Sequence, residues 1–156
     1  AEKGNTPAIG AAIAELCNRD SHVRHEAQST IPILAERGNQ FAIAAVIAHL
    51  ENDDAQIRRA ALEALGPLAE KGDQTSINAI MAACQKDKSG DVREAAILAL
   101  GNCAEKGDQS ILKFITNHLK HGHAGVRAAA VCTLSQLAKS GNQFEVLQRA
   151  LEAEER

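Results

Sequence analysis

The chain has 156 residues, a formal net charge of −3 and almost no aromatic residues: three Phe, no Tyr and no Trp. This argues against a nucleic-acid binder, which would carry a basic stripe and often stacking aromatics, and against a β-sheet domain, which draws on aromatic and β-branched residues. No apolar run approaches the roughly 20 residues of a membrane span, and Cys17, Cys84, Cys103 and Cys132 show no CxxC spacing, so we expect reduced thiols in a cytoplasmic chain.

Read in chain order, the elements repeat. Ala1-Glu2-Lys3-Gly4-Asn5 opens the first unit, 1–34. An apolar stripe follows at helical spacing, Ile9, Ala12, Ile13 and Leu16, which we call helix A. Asp20-Ser21-His22-Val23-Arg24 then opens a second stripe, Ala27, Ile31 and Leu34, which we call helix B. The second unit, 35–68, begins at Ala35-Glu36-Arg37-Gly38-Asn39. Its helix A carries Ile43, Val46, Ile47 and Leu50, and its helix B runs from Asp54 through Ile57-Arg58 to Ala61, Leu65 and Leu68.

The third unit, 69–103, repeats the pentad as Ala69-Glu70-Lys71-Gly72-Asp73 and the stripes as Ile77, Ile80, Met81, Cys84 and Val92, Ala96, Leu100, Cys103. One extra residue falls between its two helices, and we place it around Lys88-Ser89-Gly90. The fourth unit, 104–137, starts at Ala104-Glu105-Lys106-Gly107-Asp108. Its stripes are Leu112, Ile115, Thr116, Leu119 and Val126, Ala130, Leu134, Leu137. A half unit, 138–156, opens with Ala138-Lys139-Ser140-Gly141-Asn142. The chain thus starts in repeat register without Met, as a segment of a longer protein would.

The pentad has a mechanical reading. Gly suits a left-handed residue just past helix B, and the Asn or Asp after it can cap helix A. A turn that tight requires antiparallel neighbours. One helix pair cannot bury its own stripes, but stacked copies can. The expected fold is therefore all-α: a right-handed α-solenoid of about 4.5 two-helix repeats, about nine helices, forming a single domain over 1–156. Gln28 stands where Leu62, Ile97 and Val131 stand in the other units, which suggests an exposed first repeat.

The Asp-x-x-Val/Ile-Arg opening of helix B, as in Asp54-Ala55-Gln56-Ile57-Arg58, and the following Ala61-Leu62-Glu63-Ala64-Leu65 resemble the HEAT family, in particular its short PBS-lyase-like subclass. Two positions depart from that pattern. His123 stands where Asp is expected, and Asp91 lies directly before Val92. Tetratricopeptide and ankyrin repeats fit worse, because their Trp, Tyr and Thr-Pro-Leu-His landmarks are missing.

The resemblance implies that helix B lines a concave surface where a protein or peptide binds. Stepping off the core stripe places His25, Ser29, Arg59, Glu63, Glu94, Leu98, Asn102, Ala128, Cys132 and Gln136 on that face. The series Arg24, Arg58, Arg93, Arg127 reads as structural, each arginine pairing with a loop Asp or Glu, in preference to an anion ladder. His118, His121 and His123 read as solvated loop histidines, and no metal site is expected. Phe41 and Phe144 read as hydrophobic staples at the start of helix A, and Cys84 and Cys103 as small buried hydrophobes.

No phosphate loop, nucleophile elbow, HExxH or paired-carboxylate motif is present, so we expect no catalytic residues and no cofactor. The reading is a non-catalytic protein-interaction scaffold with no nucleic-acid or membrane partner. The repeats carry no mark of an oligomeric state. The alternatives are a bilin lyase-type enzyme or module, implied by the subclass, and a nucleic-acid-binding HEAT-like solenoid.

Overall fold

The pentads at 35–39, 69–73 and 104–108 fold as β-turns, and those turns organise the helices around them. In the computed structural model, which describes residues 4–138 together with Glu145, Gln148 and Glu152, four glycines adopt the left-handed conformation: Gly4, Gly38, Gly72 and Gly107, with φ between 80° and 88°. The Asn39 N–H donates to Glu36 O at 2.9 Å, Asp73 N–H to Glu70 O at 3.1 Å, and Asp108 N–H to Glu105 O at 3.3 Å. Glycine thus fills the third position of a four-residue turn, where positive φ is demanded. It is not the residue just past helix B. The helix ends at Leu34, Ala35 is already extended, and the connection to the next helix takes five residues, not two.

Eight α-helices follow in order among the described residues: α1 (Thr6–Ala14), α2 (Ser21–Leu34), α3 (Gln40–Ala48), α4 (Ala55–Leu68), α5 (Gln74–Lys86), α6 (Gly90–Cys103), α7 (Gln109–Thr116) and α8 (Ala124–Leu137). Short 3₁₀ turns, Glu15–Cys17 and His49–Glu51, continue α1 and α3. Odd-numbered helices are A and even-numbered ones B. Each A helix begins at the expected cap: Asn5, Asn39, Asp73 and Asp108 accept from backbone N–H groups two or three residues on, each cap contributing about 1 kcal/mol. The expected ninth helix lies in the last segment, outside the described residues apart from Glu145, Gln148 and Glu152, which are helical.

The helices form two layers. The B helices pack one on the next, α2 on α4, α4 on α6, α6 on α8, and each A helix packs on its own B. The core lies between the layers. Ile9, Leu16, Ile43, Leu65, Leu68, Ile80, Leu100, Ile115 and Leu119 are fully buried there. Complete burial of one such side chain stabilises by about 1.5–3 kcal/mol. Outer stripe positions are only half-buried, as at Ala12, Ile47, Leu50, Met81 and Thr116. Small residues let the B helices approach closely: Ala27, Ala61, Ala96 and Ala130 are buried, and a Cβ on Gly66 would sit 3.2 Å from Ala99 Cα.

Neighbouring repeats are also tied through backbone. The turn glycine's N–H donates to the last carbonyl of the following helix B: Gly4 to Leu34 O, Gly38 to Leu68 O, Gly72 to Cys103 O and Gly107 to Leu137 O, at 2.7–3.0 Å. These bonds satisfy acceptors that a helix end leaves orphaned. Arg37 adds to them, donating to Ala69 O and Asn102 O at 2.9 and 3.0 Å and placing a cation at two helix C-termini.

Three expectations change. The extra residue of the third unit is absorbed by α5, which runs unbroken to Lys86, and not by the Lys88–Gly90 loop. The loops match in register afterwards, because Asn18, Asn52 and Asp87 each accept from the backbone N–H two residues on, at 2.9 Å. Gln28 faces the seam between α2 and α4, where its amide lies 3.1 Å from His25 Nδ1, so it is not a mark of an exposed end. Phe41 is half exposed and reaches across to the first repeat, its ring tip 4.0 Å from where a Cβ on Gly10 would stand. Phe144 lies outside the described residues.

Candidate functional site

Helix B presents one side to helix A and the other to solvent. Residues four apart share that outer side, and the solvent-facing register of the four B helices forms three tiers. The first holds His25, Arg59, Glu94 and Ala128, the second Ser29, Glu63, Leu98 and Cys132, and the third Ile33, Pro67, Asn102 and Gln136. His25, Ser29, Leu98, Asn102, Cys132 and Gln136 are exposed, while Arg59, Glu63 and Glu94 are half-buried. All the residues expected on this face therefore reach its surface.

Their local partners differ from repeat to repeat. Ser29 Oγ donates to His25 O at 3.0 Å. Arg59 Nε donates to Glu63 Oε1 at 2.9 Å, and that bond holds the guanidinium more firmly protonated against the opposing effect of burial. The Asn102 amide covers Gly66, and the Gln136 amide covers Gly101 while donating to its carbonyl at 2.9 Å. Between α2 and α4 the tiers part into a polar cleft of about 160 Å³, bounded by His25, Gln28, Gln56, Arg59 and Glu63.

The sequence reading left Ile33 and Pro67 off this face, although they share the register of Asn102 and Gln136. Ile33 is 67% exposed and Leu98 41%, unusual for large aliphatics. Extending the same step of four by one turn in the first two repeats would have found them.

A larger cavity, about 510 Å³, opens on the other layer, between the end of α3 and α5. It is lined by Ile47, Leu50, Ala79 and Ala83, with Lys86 and Glu51 at its rim. There α3 tightens into a 3₁₀ turn at His49, whereas α5 stays α-helical to Lys86.

The arginine series is structural, but its main partners are backbone carbonyls and not carboxylates. Arg24 donates to Asn18 O and Arg19 O, Arg58 to Asn52 O and Asp53 O, Arg93 to Asp87 O, and Arg127 to His121 O and Gly122 O, at 2.6–3.0 Å. Arg58 alone of the four forms a carboxylate ion pair among the described residues, with Asp87 of the next repeat at 2.7 Å. Burial raises the carboxyl pKa of Asp87, but the hydrogen bonds from Arg58 and from the Ser89 N–H outweigh it and leave the group below its usual range.

The histidines after α7 are not simply solvated. His118 lies in the turn beyond α7, half-buried, with Nδ1 2.9 Å from Phe114 O and Nε2 3.5 Å from Cys84 Sγ. Donation from Nδ1 leaves Nε2 to accept the thiol proton. The His121 ring sits between the His123 N–H, at 3.1 Å, and Arg93 Nη1, at 2.7 Å. Burial and the guanidinium lower its pKa, so the neutral ring is favoured. Cys84 and Cys103 are buried as expected, and burial pushes both thiols up to about 11, which leaves no thiolate for nucleophilic chemistry. Cys17 and Cys132 are exposed.

A row of helix pairs, each bonded to its neighbour by the same turn, defines an α-solenoid repeat protein. A family profile described as HEAT repeats matches residues 11–101 and again 77–156, and the chain belongs to that family. No curated protein matches it. HEAT repeats generally mediate protein interactions and are typically non-catalytic. No helix among the described residues is long and apolar enough to cross a membrane.

Proposed function

We propose that the chain is a non-catalytic scaffold that binds a peptide or helix of a protein partner along the solvent-facing, concave side of its B helices. The observation that carries this reading is the exposure of Ile33 and Leu98 there, set among the charged pair Arg59–Glu63 and the amides of Asn102 and Gln136. Apolar anchors separated by polar groups that can be hydrogen-bonded are what an extended or helical segment reads in a groove. The core repeats from unit to unit while these positions do not, and a partner recognised by sequence needs such variation.

A nucleic-acid reading is weakened because Arg24, Arg58, Arg93 and Arg127 are spent on loop carbonyls and offer no continuous basic stripe for phosphates. A lyase reading would need a singular reactive side chain, and the buried thiols are held protonated.

The test is affinity capture by wild-type chain and by an Arg59→Glu/Leu98→Glu variant, followed by direct titration of the captured partner in purified form. Both substitutions are good helix formers on an exposed face, so the circular dichroism should not change. We expect affinity for the partner to fall at least about tenfold, as for a lost interface anchor. Equal affinity for the two forms would move the site to another surface.

A further inference from the structure

The two departures from the repeat pattern at the start of helix B meet at a single place. Asp20, Asp54 and Ser89 cap α2, α4 and α6, each accepting a backbone N–H of the first turn. His123 holds the same position before α8 and makes no side-chain capping bond. Its ring lies across Gly90 in the neighbouring repeat, with Nε2 3.6 Å from Asp91 Oδ1. One turn along α6, the Glu94 carboxylate extends over Gly125 of α8. One ligand atom from each of Asp91, Glu94 and His123 lies within 4.8 Å of the other two.

Two glycines make room for this. A Cβ on Gly90 would run into the His123 ring, and one on Gly125 into the Glu94 carboxylate. The first two repeats have Ser21 and Ala55 in the register of Gly90, and His22 and Gln56 in that of Gly125. The helix dipole explains an acidic residue in the first turn of α6. It does not explain why a histidine leaves the cap position, or why a second carboxylate comes so close to the first. Two such like charges repel, and a dication would relieve them. An imidazole nitrogen with two carboxylate oxygens suits Zn²⁺ and its first-row neighbours, whereas Mg²⁺ and Ca²⁺ prefer oxygen alone.

We infer that Asp91, Glu94 and His123 bind a divalent transition-metal ion, with Zn²⁺ as the test case, and that the ion ties the start of α6 to the start of α8. Three side chains leave a fourth tetrahedral position for water.

The experiment is calorimetric titration of the full chain with Zn²⁺, comparing wild type, His123→Asn and Glu94→Gln. Asn is among the best helix caps, so His123→Asn removes a ligand without endangering α8. We expect one Zn²⁺ per wild-type chain and an affinity at least about tenfold weaker in either variant, since loss of an outer-shell partner alone costs that much. Zn²⁺ should raise the thermal midpoint of the wild type and of neither variant, and Mg²⁺ should leave it unchanged. His25→Asn and Cys132→Ser, which alter exposed donors elsewhere, should keep full affinity. Absence of binding by the wild type, unchanged affinity in His123→Asn, or a loss in either control would overturn the site.

Discussion

The ion pair between Arg58 and Asp87 should be the strongest single polar tie between the second and third repeats. Asp87 is 6% exposed and accepts from Arg58 Nε and Nη2 at 2.7 and 3.0 Å, and from the Ser89 N–H at 2.9 Å. Asn52 holds the equivalent place one repeat earlier and makes the same turn bond with its amide oxygen. Asp87→Asn should therefore keep the loop and remove only the charge. Charge-assisted hydrogen bonds contribute about 1.5–3 kcal/mol each. Arg58, 18% exposed, retains two loop carbonyls after the change, so it is not stranded as a fully buried charge. A cost of about 2 kcal/mol follows for Asp87→Asn, and about 3 for Asp87→Ala, which also loses the turn acceptor.

The sign of the pH dependence is fixed as well. The carboxyl pKa of Asp87 is lower in the folded chain than the unperturbed 3.8, so the contribution is complete above that value and vanishes as pH falls through the folded pKa. Urea unfolding followed by helical circular dichroism at pH 7 and pH 3 checks both points, with the slope monitored because repeat arrays can lose cooperativity. A loss below about 0.5 kcal/mol for Asp87→Asn at pH 7, or a difference between variant and wild type that grows on acidification, would refute the reasoning.

Gly38→Ala and Gly72→Ala should each destabilise by about 1–2 kcal/mol by chemical denaturation, because both residues sit at positive φ. The first should be the worse, since its Cβ would stand 2.8 Å from the Glu70 side chain. Gly101→Val should cost at least about 2 kcal/mol, because even a Cβ there meets Thr133 Cγ2 at 3.2 Å and would push α8 away from α6; an unchanged thermal midpoint would argue against that close packing. A thiol reagent at pH 8 should label Cys17 and Cys132 rapidly, and Cys84 and Cys103 only on unfolding; mass mapping of the labelled peptides decides this.

What the sequence determined by itself was governed by neighbours within a helical turn, although where helix B ends and which helix takes up the extra residue of the third unit were misread. The 34-residue interval, the stripes at steps of three and four, glycine where φ is positive, and Asn or Asp as the cap of helix A all follow from local sterics and local hydrogen bonding. The HEAT resemblance followed from the same residues. On the candidate face, one step of four along helix B sufficed to choose outward residues, and its incomplete use alone left out Ile33 and Pro67.

What the tertiary structure decided lies at separations of about one repeat. The partners of the turn glycines' N–H groups, the pairing of Arg58 with Asp87, the burial of His118 against Cys84, the orientation of Gln28 toward α4 and the meeting of His123 with Asp91 all depend on how one helix pair is set against the next. That offset comes from the summed fit of many small side chains across the B helices. A residue's own neighbours in the chain carry no record of it, so an arginine bound to a carbonyl and one bound to a carboxylate look alike until the repeats are stacked.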